Sequence, residues 1–317
     1  MMEVPETTRS SSGVADLSKV HNALENYLFH PITNGKDWAK FKLTDEQIEQ
    51  YWKDGYLLNI PVLTHEQCDR INEDVKRLMD DSVRHPGIYM LYKYQVKKSG
   101  DSSSVFLHCQ GQWRLTKLFH DLVFHPQFLV PASQLINSDQ KMKKIRFWHD
   151  QLFAKPPRND KLVGWHQDYS LWTKTKPIMH LTVHIALDDQ TEENGALHYI
   201  PGSHRWTRDG GPLLVADFDF ENMDTIKTVL TEEEKAQFEP VCGNLKKGEI
   251  SFHHPLVVHG SYGNRSEGPR RAAVINYFED GVVSDTDGEI LKGSLIPKGQ
   301  KMEGQLYPLV FDPAWME

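Results

Sequence analysis

The segment His180–Leu187, with the sequence His-Leu-Thr-Val-His-Ile-Ala-Leu, decides the fold class. Its apolar residues recur at every second position and share one face of an extended chain: Leu181, Val183, Ile185 and Leu187. Because successive side chains of a strand point to opposite faces, this alternation predicts a β-strand that buries one face in an apolar core. The opposite face carries His180, Thr182 and His184, so we expect these polar groups to line the other side of the sheet.

Five further segments also have the composition of strands. They are separated by clusters of Gly, Pro, Asn and Asp and lie at Ile145–Phe153, Ala196–Ile200, Ile250–His254, Leu256–His259 and Arg271–Phe278. Runs of this length between turn residues are typical of a sheet whose strands follow one another along the chain. The second half of the sequence is therefore predicted to be mainly β.

Helix start signals dominate the first part of the chain. Two pairs have the spacing of a capping box, Thr44 with Gln47 and Thr64 with Gln67, and a third helical region is expected at residues 114–136. Helices that precede a run of strands, without βαβ alternation, predict a mainly β fold with α-helices. We expect an antiparallel barrel or jelly roll with an N-terminal helical layer.

The 317 residues are enough for one large domain with a buried core. Residues 1–40 lack sustained periodicity and predict a flexible or irregular N-terminal segment. Residues 41–317 are expected to form a single domain. Within it, residues 205–239 are a long, acidic interruption of the strand pattern, and such segments are usually functional or disordered. The sequence leaves two interpretations open: a lid over a site, and an insertion that extends into solvent.

The charge balance disfavours several classes of partner. Lys and Arg total 36 against 44 Asp and Glu, a formal net charge of −8, which gives no general attraction to nucleic acid or anionic membranes. No stretch approaches the roughly 18 uninterrupted apolar residues of a membrane helix. The three cysteines, Cys68, Cys109 and Cys242, are scattered, which is unlike a disulfide framework and favours a reducing, cytoplasmic location. Oligomeric state has no signal in the sequence.

A possible metal site begins at Gly164-Trp165-His166-Gln167-Asp168. In an extended chain residues i and i+2 point to the same side, so His166 and Asp168 can chelate one ion, with His259 as the best third ligand. Two histidines and one carboxylate leave positions open on iron, as in non-haem Fe(II) oxygenases. Two other interpretations stay open at this point: a hydrogen-bonded loop pair, and a zinc site of a hydrolase, which the same ligands suit.

Arg270 gives the metal site a second component. It lies eleven residues after His259, beyond a turn rich in Ser, Gly, Asn and Pro, and a hairpin of that length is expected to bring it back beside the strand of His259. A guanidinium there can hold the far carboxylate of a cosubstrate through two hydrogen bonds, and Ser261 can donate to the same group. Strand alternation turns the next residue, Arg271, to the opposite face, where we expect a surface arginine.

The sequence resembles the phytanoyl-CoA dioxygenase family, which includes ectoine hydroxylase. The resemblance extends over roughly residues 44–280. It rests on four blocks in the family's order: Phe153-Ala154-Lys155-Pro156-Pro157, Trp165-His166-Gln167-Asp168, the run Glu193–His204 (ENGALHYIPGSH), and His259-Gly260-Ser261 with Asn264, Ser266 and Arg270. All four in order, with the spacing from His259 to Arg270, form a specific pattern.

The resemblance implies a double-stranded β-helix, which is a cupin-like jelly roll, and an oxidation that uses Fe(II), 2-oxoglutarate and O₂ and releases succinate and CO₂. By motif position, His166, Asp168 and His259 correspond to the iron ligands. Arg270 and Ser261 correspond to residues that bind the far carboxylate of 2-oxoglutarate. The reaction implied is the oxidation, and foremost the hydroxylation, of an unactivated C–H bond in a small molecule.

Two further positions are implied as cosubstrate contacts. Gln151 falls where the family places such a contact. His184 stands where the family often carries a tryptophan, so a contact with the cosubstrate, the substrate or a neighbouring side chain stays open. The aspartate at Asp168 argues against halogenation, because halogenating relatives carry a small residue there. Desaturation, epimerisation and ring formation remain alternatives to hydroxylation.

Substrate contacts are the least specified part of the prediction. Strand alternation turns His149 inward together with Phe147 and Gln151. The complete set of predicted substrate residues is His149, Tyr169, Trp172 and His180. Their polar character favours a small metabolite with hydrogen-bonding groups. A zinc-dependent hydrolase on a cupin barrel would explain the three ligands without Arg270, and a non-catalytic cupin-like binding protein would not need an intact triad.

Overall fold

The computed structural model describes residues 24–79, 91–98, 105–139, 141–214 and 222–317. The helices are α1 Asp45–Asp54, α2 His65–Met79, α3 Lys117–Leu122, α4 Pro126–Leu135 and α5 Glu232–Ala236. The first eight strands are β1 Tyr56–Pro61, β2 Lys93–Lys98, β3 Val105–Gln110, β4 Ile145–Lys155, β5 Val163–His166, β6 Thr175–Lys176, β7 His180–Ala186 and β8 Leu197–Tyr199. The others are β9 Thr207–Arg208, β10 Gly211–Pro212, β11 Val241–Cys242, β12 Glu249–His253, β13 His259–Ser261, β14 Arg270–Glu279, β15 Val283–Ser284 and β16 Leu309–Phe311.

Both predicted capping boxes begin helices. The Thr44 hydroxyl accepts from the Gln47 amide, and the Gln47 side chain accepts from the Thr44 amide. Thr64 and Gln67 repeat the pair at the start of α2. The predicted helical region 114–136 is instead divided into α3 and α4. The division falls before Pro126, which has no amide hydrogen to continue a helix and is tolerated in a first turn.

The larger sheet is antiparallel and has the order β1-β12-β7-β14-β4-β3-β2, with β16 also paired to β4. Strand β7 is an interior strand of this sheet, between β12 and β14, and confirms the alternation of His180–Leu187. Leu181, Val183 and Ile185 are fully buried in the main core, together with apolar residues of α1 to α4. Burying one such side chain contributes roughly 1.5–3 kcal/mol relative to leaving it exposed. On the polar face of the same strand, Thr182 and His184 line a cavity.

The smaller sheet has four antiparallel strands in the order β11-β8-β13-β5. The prediction of a strand at Leu256–His259 was wrong in its position. The backbone amide of Val257 donates to the carbonyl of His254 in a turn, and the strand begins only at His259. The expected hairpin was also wrong. Strand β13 pairs with β5 and β8, whereas β14 pairs with β4 and β7, so the chain crosses between sheets from His259 to Arg270.

A β-bulge changes the prediction for strand β4. The register against β14 shifts between Asn276, opposite His149, and Tyr277, opposite Phe147, so Trp148 is the extra residue. The bulge breaks the alternation, and Phe147 is fully buried in the main core instead of facing the cavity. Trp148 takes its place in the cavity wall, beside His149.

The predicted interruption at residues 205–239 is described except for residues 215–221. It forms a small apolar cluster with the smaller sheet. The buried members from this segment are Trp206, Leu213, Met223, Ile226 and Leu230, which pack with Trp165, Ile200 and Val258. Of the N-terminal segment, residues 1–23 lie outside the described residues, and Gly35–Phe41 is a short 3-10 helix. In the described part of the chain, no helix is long and apolar enough to cross a membrane.

Candidate metal and cosubstrate site

His166, Asp168 and His259 converge at the boundary between the two sheets. His166 ends β5 and faces His259 across the strand pair β5–β13. The Nε2 atoms of His166 and His259 lie 3.8 and 3.7 Å from Oδ1 of Asp168, and one ligand atom from each residue lies within 4.8 Å of the other two. All three side chains are buried. Three donor atoms of this type around one point fit a divalent transition metal.

The two histidines are oriented by the backbone. Nδ1 of His166 lies 2.8 Å from the Gly164 carbonyl, and Nδ1 of His259 lies 3.1 Å from the Val257 carbonyl. A ring nitrogen beside a carbonyl oxygen must carry the proton, which leaves the Nε2 lone pair for a metal. Burial lowers the pKa of both rings, which keeps them in the neutral form that a metal ligand requires.

Asp168 is held by residues of the larger sheet. The Thr182 hydroxyl lies 2.7 Å from its Oδ2, and Nε2 of His253 lies 3.1 Å from the same atom. Thr182 and His253 are cross-strand neighbours on β7 and β12. Burial alone would raise the pKa of Asp168, but His259, His253 and His166 together bring it below its usual range. The carboxylate is therefore ionised, with Oδ2 occupied and Oδ1 directed at the histidines.

Arg270 is a buried cation that opens β14 and lines the same cavity. Its side chain is 2 % exposed, and its Nε and Nη2 have no hydrogen-bond partner among the described residues. Burial lowers its pKa to about 10. Leaving charged donors buried and unpaired is costly, so this arrangement calls for an anionic ligand with two acceptor oxygens. The structure brings Arg270 into the same cavity as the triad, although by a different path of the chain from the predicted hairpin.

Lys155 is a residue that the sequence analysis assigned only to a motif. It is fully buried, and its Nζ donates to Ser261 Oγ at 2.7 Å and to the Tyr262 carbonyl at 2.5 Å. Burial is the main cause that lowers the pKa of Lys155 well below its usual value, and the positive charge of nearby Arg270 lowers it further. Because the Ser261 oxygen accepts from Lys155, its own O–H is free to donate into the cavity. This places a second donor beside Arg270.

The other two predicted cosubstrate residues also line the cavity. Nε2 of His184 lies 2.9 Å from Oε1 of Gln190, and burial lowers the His184 pKa to about 3. Oε1 of Gln151 lies 3.0 Å from Nε2 of His108 on the neighbouring strand. We name Arg270, Ser261, Lys155, His184 and Gln151 together the cosubstrate end of the cavity.

The predicted substrate residues divide into two pairs. His149 and Trp172 line the cavity, which has a volume of about 450 Å³. Tyr169 and His180 are absent from its described lining and lie behind Trp172, where His180 packs 5.6 Å from the Trp172 ring and the Tyr169 hydroxyl donates to the Thr175 carbonyl. These two support the wall rather than form it. Burial lowers the pKa of His149 to about 4.

Several cavity residues were missed by the sequence analysis. Strands β2 and β3 were not predicted, although they contribute Lys93, Phe106, His108 and Gln110 to the lining. His253 was also missed, although alternation within β12 places it on the same face as Ser251. Arg271 was predicted as a surface arginine. Instead it is largely buried and forms a two-pronged ion pair with Asp188, at 2.8 and 2.6 Å.

Comparison with known proteins identifies the family. The model of the phytanoyl-CoA dioxygenase family matches residues 51–272. The chain belongs to the phytanoyl-CoA dioxygenase family. It is 35 % identical, over 269 residues, to the phytanoyl-CoA dioxygenase domain-containing protein 1 homolog of Caenorhabditis briggsae, with 73 % of this chain and 89 % of the relative covered. This membership confirms the resemblance derived from the four sequence blocks.

Two further proteins are similar to this chain. A probable alpha-ketoglutarate-dependent hypophosphite dioxygenase of Stutzerimonas stutzeri is 26 % identical over 240 residues, covering 73 % of this chain and 77 % of that protein. The crystal structure of the non-heme alpha ketoglutarate dependent carbocyclase SnoK superposes with a TM-score of 0.67 at 21 % identity, covering 89 % of this chain and all of that one. The similarity to SnoK shows that the two proteins share a fold.

Proposed function

We propose that this member of the phytanoyl-CoA dioxygenase family binds Fe(II) through His166, Asp168 and His259 and oxidises a C–H bond of a small molecule. The enzyme is an iron- and 2-oxoglutarate-dependent dioxygenase, and hydroxylation is the outcome that we favour. One observation carries the proposal. Buried guanidinium donors of Arg270, which have no partner in the part of the chain that the structure describes, line the same cavity as the three residues whose donor atoms could hold a metal ion.

The residues present fit both groups. Two neutral imidazoles and one carboxylate supply the donor set of an iron site that keeps positions open for further ligands. Arg270, with the Ser261 hydroxyl beside Lys155, supplies donors for the far carboxylate of 2-oxoglutarate. Iron and 2-oxoglutarate held by these residues would supply the oxidation: with O₂, one oxygen atom would be inserted into a substrate C–H bond, and succinate and CO₂ would be released.

The protein's own contribution is orientation and the exclusion of water. Thr182 and His253 hold one oxygen of Asp168, so that the other is presented to the metal. Arg270 fixes the direction in which the cosubstrate lies. Trp148 and Trp172, which are 2 % and 6 % exposed, close the wall beside the metal ligands. This dry, shaped surrounding is what the protein adds to chemistry that belongs to the metal and cosubstrate.

The two rival functions explain less of the site. A zinc hydrolase would use the same triad but gives no role to the unpaired donors of Arg270. A binding protein without catalysis would not require Asp168 to be held by two donors in the geometry of a ligand. Family membership supports the oxygenase over both.

Some finer predictions belong to this proposal. We infer that the two sheets form the double-stranded β-helix, that the helices packed on the larger sheet are its N-terminal layer, and that residues 41–317 are one domain. We infer that residues 205–239 are an insertion and not a lid over the site, because the described part of this segment contributes no residue to the cavity lining. A cytoplasmic location is supported by the three free cysteines. We propose a small-molecule substrate and no nucleic-acid partner.

The decisive variant is Arg270→Gln. It removes the charge but keeps a polar side chain, and the loss of a buried ionic contact costs about 2–5 kcal/mol. We expect the affinity of the iron-loaded protein for 2-oxoglutarate, measured calorimetrically without oxygen, to fall at least about thirtyfold. Iron affinity should stay near that of the wild type, because Arg270 is not a ligand.

Arg265→Gln is the matched control. Arg265 lies on the connection between β13 and β14, carries the same charge and is exposed. Its replacement should leave the 2-oxoglutarate affinity unchanged. An Arg270→Gln protein that binds 2-oxoglutarate as tightly as the Arg265→Gln protein would remove Arg270 from the cosubstrate site.

A further inference from the structure

His149 lines the cavity from strand β4, although the residue is only 1 % exposed. It belongs to a row of polar side chains that crosses three strands of the larger sheet. His149 lies opposite Asn276 on β14, and Asn276 lies opposite Thr182 on β7. Thr182 in turn donates to Asp168 at 2.7 Å. The row therefore connects His149 to the side chain that holds one of the three metal ligands.

The side-chain amide of Asn276 has one favourable orientation. Its Nδ2 lies 3.2 Å from the backbone carbonyl oxygen of His149. Because that oxygen can only accept, the atom beside it must be the amide nitrogen and not the amide oxygen. On the other side of the amide, Oδ1 lies 3.0 Å from the Thr182 hydroxyl. The His149 carbonyl thus fixes which end of Asn276 faces His149.

This orientation also fixes the proton on the His149 ring. Nδ2 of Asn276 has a second hydrogen, and Nδ1 of His149 lies 3.2 Å from it. A ring nitrogen that accepts from an amide carries no proton, so the proton of the neutral ring is on Nε2. The ring is neutral because burial lowers the pKa of His149 to about 4. His149 therefore offers one N–H donor, at Nε2.

The surroundings of the His149 ring provide contact but no acceptor. Within the described ranges of the chain, the side-chain hydrogen bond of His149 is the one from Asn276 to Nδ1. Its ring neighbours are Trp148, at 5.3 Å, and Trp172, at 5.6 Å and an angle of 82°. A buried N–H without an acceptor is unfavourable. The Nε2 position therefore calls for an acceptor atom from a ligand of the cavity.

The cosubstrate is too short to serve as this ligand from its own end of the cavity. Arg270 lies opposite Lys155, which is six residues from His149 on the same strand. At about 3.3 Å per residue, the two positions are roughly 20 Å apart along β4. The five-carbon chain of 2-oxoglutarate is much shorter than this. A cosubstrate held by Arg270 therefore leaves the Nε2 hydrogen of His149 to the second ligand, which is the substrate.

We propose that the substrate has an apolar body with a carbonyl, hydroxyl or ether oxygen, and that Nε2–H of His149 donates to this oxygen. The apolar body packs on Trp172, Ile290 and Leu291, which line the same cavity. The inference rests on the proposed function, because it takes the cosubstrate end of the cavity as occupied. It makes His149 a specificity residue, since the bound oxygen decides which C–H bond lies over the metal. Asn276 is a positioning residue that holds the ring in the required tautomer.

The tautomer is tested first, without any substrate. The full chain is labelled with ¹⁵N at histidine and loaded with 2-oxoglutarate and Zn²⁺, which replaces Fe(II) because it is diamagnetic. Long-range ¹H–¹⁵N spectra distinguish the two neutral tautomers, and the signals lost in His149→Phe assign His149. We expect a protonated Nε2 and an unprotonated Nδ1. A proton on Nδ1 would leave no donor for the cavity and would overturn the inference.

Two probes of the same shape test the recognition of oxygen. Acetophenone carries C=O where α-methylstyrene carries C=CH₂. Each is titrated calorimetrically, without oxygen, into the full chain loaded with Fe(II) and saturating 2-oxoglutarate. The quantity of interest is the ratio of the acetophenone affinity to the α-methylstyrene affinity. In His149→Phe, which keeps an aromatic ring beside Trp172 but removes both nitrogens, this ratio should fall about tenfold, the effect of one buried hydrogen bond.

Two further variants separate the donor from the shape of the ring. His149→Gln retains a side-chain N–H and should recover most of the wild-type ratio. His180→Phe is the matched control, because His180 is also buried but lies behind Trp172 and outside the described lining. Its replacement is expected to leave the ratio unchanged, even if both affinities shift together through movement of Trp172.

Three results would overturn the inference: a ratio that is the same in His149→Phe and the wild type, an equal loss in His180→Phe, or no binding of acetophenone to the wild type. Every protein is first checked for binding of Fe(II) and 2-oxoglutarate. Failure at that step counts against the proposed function. A protein that binds both but shows no preference for the oxygen counts against this inference alone.

Discussion

At the cosubstrate end of the cavity Arg270, Ser261 and Lys155 lie on strands and are almost completely buried. Another part of the cavity wall is apolar and comes from Leu171, Ile290 and Leu291, which we name the apolar rim. Of these, Leu171 and Leu291 lie on turns and are partly exposed. The first set is polar and includes donors that have no partner among the described residues. The second set is apolar, so it can offer a ligand only van der Waals contact and burial of apolar surface. The comparison indicates that one end of the cavity offers directed hydrogen bonds to a polar group, and that the other end offers apolar surface.

The same division appears along the chain. The metal ligands and Arg270 lie inside residues 51–272, the range that the family model matches, whereas Ile290 and Leu291 lie beyond it. Rigid strands suit a reaction that needs the metal and the cosubstrate in one geometry. Turns tolerate changes of sequence with little effect on the sheets. We therefore expect variants at the two ends to affect different binding steps.

The largest effect is expected for His166→Ala. It removes one of three metal ligands, so iron affinity should fall by more than the roughly 10–100-fold that loss of a supporting partner costs. Substrate-coupled succinate formation should disappear with it. Iron content after equilibrium dialysis, with His65→Ala as an exposed histidine control, is the measurement. Full iron occupancy in the His166→Ala protein would contradict the assignment of the ligands.

A smaller effect is expected for Thr182→Val, which keeps the shape of the side chain and removes the hydroxyl that donates to Asp168. With Oδ2 held by His253 alone, the carboxylate is less well oriented, and we expect iron affinity to fall about tenfold. Thr182→Ser, which restores the hydroxyl, should recover most of it.

Thr175→Val is the control, because the Thr175 hydroxyl contacts the Trp172 carbonyl and His180 instead of Asp168. Equal iron affinities for the Thr182→Val and Thr175→Val proteins would show that the Thr182 hydroxyl does not contribute to the orientation of Asp168.

The smallest effect on the cosubstrate is expected for Trp172→Ala. Trp172 lines the cavity, but its described hydrogen bonds go to Tyr169 and Thr175 and none joins it to the cosubstrate end. Sites without common partners usually change each other by only about 0.5 kcal/mol. The affinity for 2-oxoglutarate should therefore stay within about twofold of the wild type, while substrate-coupled turnover falls. A large loss of 2-oxoglutarate affinity would remove the distinction between the two ends.

Much of the cosubstrate end could be predicted from sequence because it depends on short-range rules. Residues two apart in an extended chain share a face, which directed His184 toward the cavity. At the neighbouring triad the same rule placed His166 with Asp168, because Gln167 between them is extended although Asp168 already begins a 3-10 turn. The path from His259 to Arg270 was misjudged, since alternation does not reveal which sheet a strand joins. The bulge at Trp148 could not be predicted from the sequence either. It arises from the pairing of β4 with β14 and not from the sequence pattern of β4 itself.

The rest of the site depends on contacts between distant segments. His253 and Thr182 reach Asp168 because β12 and β7 are neighbours in the sheet, although the two residues are far apart in sequence. Lys155 belongs to a recognised motif, but its contact with Ser261 exists only because the two sheets meet there. Ile290 and Leu291 lie in turns without a periodic pattern, so no local rule assigns them to the cavity.

The most direct test of the iron and 2-oxoglutarate site is an anaerobic titration followed by visible absorption. Fe(II) is added to the full-length protein until one equivalent is bound, and 2-oxoglutarate follows. Chelation of iron by the cosubstrate should produce a metal-to-ligand charge-transfer band that saturates at one 2-oxoglutarate per chain and is absent when Zn²⁺ replaces Fe(II) or when Asp168 is replaced by alanine. Saturable binding of 2-oxoglutarate without this band, or with equal affinity in the absence of metal, would contradict the account.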